Sequence, residues 1–244
     1  MKIVLLPGMD GTGELFREVL AELYPLDAHC LPLPSEGPQD YERLSTTLES
    51  SLPNEEFILV AESFSGGIAA HLSTKCLPNL KAIIFVASFL SAPRKITAYI
   101  ASFLPLQRLT NFPFFNMICR SVFLGRNASN SKIDAFKRVL LSVPQGVLES
   151  RLKVIAASRY SGFETSLPSV YIGATNDMLV SSSKRAEFRV AYPKISFVEV
   201  EGPHFILQAQ PKKGAAAIAG AVHLLTNQTS EGLSGRDALT RAPV

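Results

Sequence analysis

A serine hydroxyl becomes a nucleophile only when a base takes its proton. In a chain of 244 residues with four histidines, the useful question is which serine and which histidine a fold could bring together. The stretch FILVAESFSGGIAAHL, residues 57–72, contains the best serine. Its apolar run stops at Glu62-Ser63, small residues follow, and then a helix-like pattern begins. A sharp strand-to-helix turn exposes a serine hydroxyl while anchoring its backbone, and it tolerates little side-chain bulk on either side. The usual pattern is G-x-S-x-G. Here it reads Ala61-Glu62-Ser63-Phe64-Ser65 with Gly66-Gly67 behind it, so alanine and serine stand where glycines are usual. Ser65 is the rival nucleophile, but its place at the helix start suits capping or packing. The plain alternative is a strand-to-helix loop whose small residues merely pack closely.

Among the histidines, His29 falls inside a strand-like run, His71 two turns into the helix after Ser63, and His223 near the end of the last helical segment. His204 differs. It lies in VEVEGPHFILQAQP, in a Gly-Pro loop between a strand-like run and a helix. Loops at the carboxyl ends of strands are where α/β sheets carry reactive groups. The third group, which orients the imidazole and stabilises its charge, is Asp177 in SVYIGATNDMLV, with Asp10 and Asp134 as weaker rivals. The order Ser63, Asp177, His204 puts each residue after a different strand at one sheet edge. Acyl chemistry also needs two amide donors for the developing oxyanion. The loop LLPGMDGTGELF, residues 5–16, has Gly8, Gly11 and Gly13 to turn amides inward, and the Met9 and Phe64 N–H groups are the candidates. As a phosphate loop it fails, because it has neither G-x-G-x-x-G nor a GK[ST] ending.

The elements that position these residues alternate. Strand-like runs at 2–6, 28–33, 56–61, 81–87, 169–174 and 195–200 are rich in Val, Ile and Phe without clean alternation, as strands buried on both faces are. Helical patterns occupy 14–23, 39–51, 65–76, 181–191 and 205–225. This order predicts an α/β fold with a mostly parallel, six-stranded sheet flanked by helices. The core is expected at 1–88 and 166–226. Residues 89–165 break the rhythm with short amphipathic helices punctuated by Pro93, Pro105, Pro113, Gly125 and Pro144. They are expected to form a helical cap over the sheet's carboxyl edge. The cap is rich in phenylalanine (Phe103, Phe112, Phe114, Phe115, Phe123), and Phe114 and Phe115 are the candidate contacts for an apolar ligand. Aromatics at helical spacing also simply build cores. The polar segment 227–244 reads as a flexible tail.

Composition narrows the field. A hydrophobic fraction of 47% supports a large core, and a net charge of +3 without a dominant Lys/Arg cluster argues against nucleic acid. Cys30, Cys76 and Cys119 form no CxxC pair and no zinc spacing, and read as buried thiols in a reducing compartment. The apolar run at 3–6 is shorter than the roughly 7–15 residues of a signal peptide. No stretch approaches the ~18 apolar residues of a membrane helix. A cytoplasmic location is expected.

The motifs LLPGMDGTG, VAESFSGG, GATNDMLV and GPHFILQAQP together resemble the α/β-hydrolase superfamily, across residues 5–211. The resemblance implies the Ser, acid, His order, a cap after the sixth of the usual eight strands, and a sheet lacking the first two. The Pro-Gly-Met start is similar to that of thioesterase-type and small bacterial hydrolases. Dehalogenases and epoxide hydrolases of the superfamily carry aspartate at the elbow, so Ser63 points to acyl chemistry. The leading expectation is a serine esterase that forms an acyl-enzyme on a small-molecule ester and needs no metal or cofactor. Two rivals stay open. One is a thioesterase or acyltransferase using an acyl-CoA or acyl-carrier thioester, with Arg94-Lys95, Arg108, Arg120 and Arg126 near the cap as a basic rim. The other is a non-catalytic binding protein on the same fold.

Overall fold

The computed structural model describes residues 1–93, 110 and 112–239, with side chains described as far as 227. Arg94, Lys95, Phe103, Pro105 and Arg108 lie outside the described residues.

Six strands form one sheet: β1 (Lys2–Leu6), β2 (Ala28–Cys30), β3 (Phe57–Glu62), β4 (Leu80–Val86), β5 (Ser169–Ala174) and β6 (Ser196–Val200). Their order is β2-β1-β3-β4-β5-β6, and every pairing is parallel. The expected fold class is therefore present, and the sheet is parallel throughout. β1, β3, β4 and β5 bury both faces because both are covered. On one side Val4, Leu6, Leu59, Phe85 and Tyr171 pack with Phe64, Ile68, Phe188 and Tyr192. These last four come from the turn before α3 (Ser65–Thr74), from α3 itself, from α7 (Arg185–Ala191) and from its C-cap. On the other side Ile3, Leu5, Ile58, Val60, Ile84 and Ile172 pack with Phe16, Val19, Ile218 and Leu225, from the 3-10 turn Glu14–Phe16, α1 (Arg17–Glu22) and α9 (Pro211–Leu239). Alternate strand residues thus enter different cores, so the sequence shows no polar face.

The strand order reverses between β1 and β3. Their carboxyl ends diverge to helices on opposite faces and leave a crevice there, the usual ligand position in such sheets. The loop holding Met9 follows β1 and the turn holding Ser63 follows β3.

α2 (Tyr41–Glu49) starts where Asp40 caps the Arg43 amide. Between β4 and β5 lie α4 (Phe115–Ile118), a π-helical turn (Cys119–Phe123), α5 (Asn130–Ser142) and α6 (Gln145–Ala157). Phe115, Ile133, Phe136, Leu140 and Leu148 give this segment its own core, against which Met9, Leu15 and Phe205 pack. α8 (Ile206–Ala209) precedes α9. α9 runs to Leu239. Among the thiols Cys119 is buried, whereas Cys76 is exposed just past α3. No helix among the described residues is long and apolar enough to cross a membrane.

Candidate active site

Ser63 sits at the first residue after β3 with φ 49°, a left-handed conformation that costs a non-glycine residue energy. Its neighbours hold it there. The Ser63 amide donates to the Val86 carbonyl at 2.9 Å, and the Ser88 hydroxyl donates to the Ser63 carbonyl at 2.7 Å. Tyr171 in turn donates its hydroxyl to the Ser88 carbonyl at 2.9 Å. A Cβ on Gly66 would stand 1.6 Å from Ser88 Oγ, so this position must be glycine. Ala61 is fully buried, its methyl absorbed by the core. Ser65 is fully buried too and donates its hydroxyl to the Pro7 carbonyl. The residue weighed as a rival nucleophile ties the elbow helix to the loop after β1.

Ser63 Oγ lies 2.9 Å from His204 Nε2, and His204 Nδ1 lies 2.8 Å from Asp177 Oδ2. The other Asp177 oxygen accepts the Leu179 and Val180 amides, each at 2.8 Å. That double acceptance fixes the carboxylate plane, so Oδ2 faces the imidazole. The loops after β5 and β6 are zipped together by Thr175 N–H to Val200 and Asn176 N–H to Gly202, which carries Asp177 to His204. His204 is 3% exposed and Ser63 9%, so this hydrogen-bonded line is nearly dry. His29, His71 and His223 are all exposed. Asp10 accepts from Thr12 in its own loop, and Asp134 is exposed on α5.

The loop after β1 comes against the elbow: a Cβ on Gly8 would stand 3.8 Å from Ser63 Cβ. Among the described residues, neither the Met9 nor the Phe64 amide meets a hydrogen-bond acceptor. Both are unspent donors, Phe64 next to Ser63 in the chain and Met9 one residue past Gly8 in the loop that approaches it. Phe115 is buried near Phe136 in the core of the segment between β4 and β5, and Phe114 is 45% exposed and stacked on Phe112.

Three buried polar residues went unnoticed in the sequence. Glu62 is next to Ser63, and each of its carboxyl oxygens accepts from Gln208 Nε2 at 3.1 Å. Burial pushes its carboxyl up to about 8, and the charge of Asp10 adds to this; Gln208 and the Gly8 amide oppose it. Gln208 Oε1 is buried and lacks a partner among the described residues. Arg151, from α6, is 1% exposed and reaches across to the loops after β1 and β2. Burial pulls its guanidinium down to about 10 against the pull of Asp10. Glu62 had a signal, a carboxylate ending a wholly apolar strand. Arg151 had none, since it reads as one more charge on an amphipathic helix. No cluster of metal-ligating side chains occurs among the described residues.

A parallel sheet with a left-handed serine elbow at its switch point, backed by an imidazole and a carboxylate from the last two strand ends, defines the α/β-hydrolase class. The chain belongs to the alpha/beta hydrolase family, whose profile matches residues 3–218. Comparison with curated proteins finds no match. Among solved structures it is similar to a thermophilic esterase from Thermogutta terrifontis, with TM-score 0.74, 14% identity, and 92% of this chain and 90% of that one covered. It is also similar to the enol-lactonase from Burkholderia xenovorans LB400, with TM-score 0.73, 13% identity, and 91% and 90% covered. A hydrolase from Oleispira antarctica has TM-score 0.72 at 16% identity, with 93% and 92% covered. At such identities the likeness is one of fold.

Proposed function

We propose that the chain hydrolyses a carboxylic ester through an acyl-enzyme on Ser63. The observation that carries this is the unbroken line from Ser63 Oγ through His204 to Asp177, at 2.9 and 2.8 Å. Ser63 Oγ attacks the carbonyl carbon while His204 Nε2 takes its proton. Asp177 accepts from Nδ1–H, which keeps the imidazole in the tautomer whose Nε2 is a base and stabilises the imidazolium. The carbonyl oxygen becomes an oxyanion received by the Met9 and Phe64 amides. On collapse the C–O bond to the alcohol breaks, and His204 returns the proton to the leaving oxygen. Water, deprotonated by the same imidazole, then releases the acid and restores Ser63. Neither a metal nor an organic cofactor is needed, and a cytoplasmic setting suits free thiols.

An apolar acyl group agrees with the cap's composition. Phe115 is engaged in the cap's own packing, so an acyl chain would meet that cluster through Met9 and Leu15, which border it. Phe114 keeps an accessible face. A second reading, thioester cleavage or acyl transfer, has one observation in its favour. Arg120 and Arg126 line a cleft of about 730 Å³ that also includes Asp177 and Met178, a place for an anionic carrier. Arg120 is already engaged there by the Ala128 carbonyl and Asn130, so the oxyester reading leads.

The test is turnover of p-nitrophenyl acetate and butyrate, and of the matching thioesters, by wild type and Ser63→Ala. Ester turnover that disappears in the variant supports the proposal. Equal turnover by both proteins refutes Ser63 as nucleophile, and thioester preference would move the assignment to the second reading. Ligand binding without any turnover would favour a binding protein.

A further inference from the structure

Arg151 is the bulkiest of the fully buried side chains, and it belongs to the segment between β4 and β5 rather than to the sheet. Its Nε donates to Gln39 Oε1 at 2.9 Å, Nη2 to the Pro34 carbonyl at 2.8 Å and Nη1 to the Met9 carbonyl at 2.8 Å. Its guanidinium carbon lies 5.8 Å from the centre of the Phe64 ring. No carboxylate pairs with it directly among the described residues. Burying an arginine against neutral carbonyls is costly, since at hydrogen-bond distance the desolvated charge is met only by dipoles, with Asp10 acting from farther off. An anchor for the cap alone could be built from leucines at lower cost.

The contacts indicate what the arginine adds. Of the residues it touches, Met9 and Phe64 are the two whose amides stand unpartnered beside Ser63. An oxyanion site works only if its donors are fixed before charge develops. Pro7 is held by Ser65 from the elbow side, and Met9 by Arg151 from the cap side. We propose that Arg151 is a positioning residue for the oxyanion-binding amides, its planar fork holding Met9 and its face holding Phe64, so that cap docking and oxyanion stabilisation are one structural unit. This inference rests on the ester-hydrolase reading of Ser63.

The experiment uses the full chain as wild type, Arg151→Lys, Arg151→Met and Gln39→Met. Lysine keeps the charge but loses the rigid fork. Gln39→Met removes one guanidinium acceptor without touching Met9 or Phe64. The readouts are kcat and KM for p-nitrophenyl butyrate, melting temperature, and the inhibition constant of an aryl trifluoromethyl ketone. That ketone bonds its carbonyl carbon to Ser63 Oγ, passes the serine proton to His204 and leaves an oxyanion on the amides. We expect Arg151→Lys to lower kcat by about tenfold or more with KM within about threefold, and to weaken the ketone by the same factor. Gln39→Met is expected to lose thermal stability with kcat within about twofold of wild type. Unchanged kcat in Arg151→Lys, or a fall in kcat without weaker ketone binding, overturns the proposal. So does an equal kcat loss in Gln39→Met. If neither Arg151 variant folds, the residue is a structural anchor and the proposal is likewise overturned. A wild type inert to esters instead refutes the underlying reading. Active wild type, inert Ser63→Ala and a wild-type-like Arg151→Lys refute this inference alone.

Discussion

Asp177 and His204 are held by their own loops: the carboxylate is clamped by amides two and three residues on, and the two loops are zipped to each other by backbone hydrogen bonds. The loop carrying Met9 is held from far away in sequence, by Ser65 at a separation of 58 residues and by Arg151 at 142. The Ser63–His204–Asp177 side, the proposed proton relay, therefore depends on local turn chemistry, and the amide side on long-range buried polar contacts. A substitution in the relay should remove chemistry and spare the fold. A substitution around the amide loop should disturb both, because each lost partner leaves a buried group unsatisfied.

The sharpest way to break that contrast is Ser63→Ala. Ester turnover should fall by about 10⁴-fold or more while the melting temperature holds or rises, since a hydroxyl is lost from a strained position; a large drop in melting temperature would contradict the local-turn account. Asp177→Asn should come next, with kcat lower by about 10³- to 10⁴-fold. Its carboxamide can still accept the Leu179 and Val180 amides, but it then presents N–H to the imidazole and favours the wrong tautomer. A kcat-pH profile that keeps wild-type amplitude would argue against that role.

On the amide side the effects are smaller and mixed. Ser65→Gly restores the usual elbow glycine yet removes the donor to the buried Pro7 carbonyl. It should both destabilise by about 1–3 kcal/mol in denaturant titration and lower kcat, whereas the Ser63 and Asp177 variants lower kcat and spare stability. Glu62→Gln gives the gentlest test. Burial lifts the Glu62 carboxyl from 4.5 to about 8. Between those values the folded chain keeps a proton that the unfolded chain has released, so this group's contribution to stability falls as pH rises through the window. The amide variant should show a flatter melting temperature between about pH 5 and 8, and its new N–H can serve the unpartnered Gln208 oxygen. A slope as steep as wild type would remove Glu62 from the account.

Much of this was legible in the chain itself. The six strand-like runs match β1 to β6 closely, because strands buried on both faces leave unmistakable apolar blocks. Ser63, Asp177 and His204 could be picked out because each follows such a block, so finding the strands located the loops. What the chain hid was long-range. Neither Arg151 nor Gln208 carries a mark that separates it from an ordinary helical polar residue, since their meaning comes from residues more than a hundred positions away. The aromatic residues between β4 and β5 are ambiguous in a different way. Composition cannot tell a phenylalanine that lines a pocket from one that fills a core, and Phe115 fills one.

Gly11 has φ 75°, and a Cβ there would stand 2.2 Å from Arg151 Nη1. The glycine is the socket into which the arginine fits, so the two positions should behave as one inherited unit. Relatives that lose the arginine are released from the steric demand at position 11, though its backbone still favours Gly, Asn or Asp. Relatives that place a side chain at 11 first must give up the arginine, and with it this way of fastening α6 to the loops after β1 and β2. In this branch of the family, pairwise covariation between residues 11 and 151 should trace which members fasten the segment between β4 and β5 by a buried guanidinium and which have found another anchor.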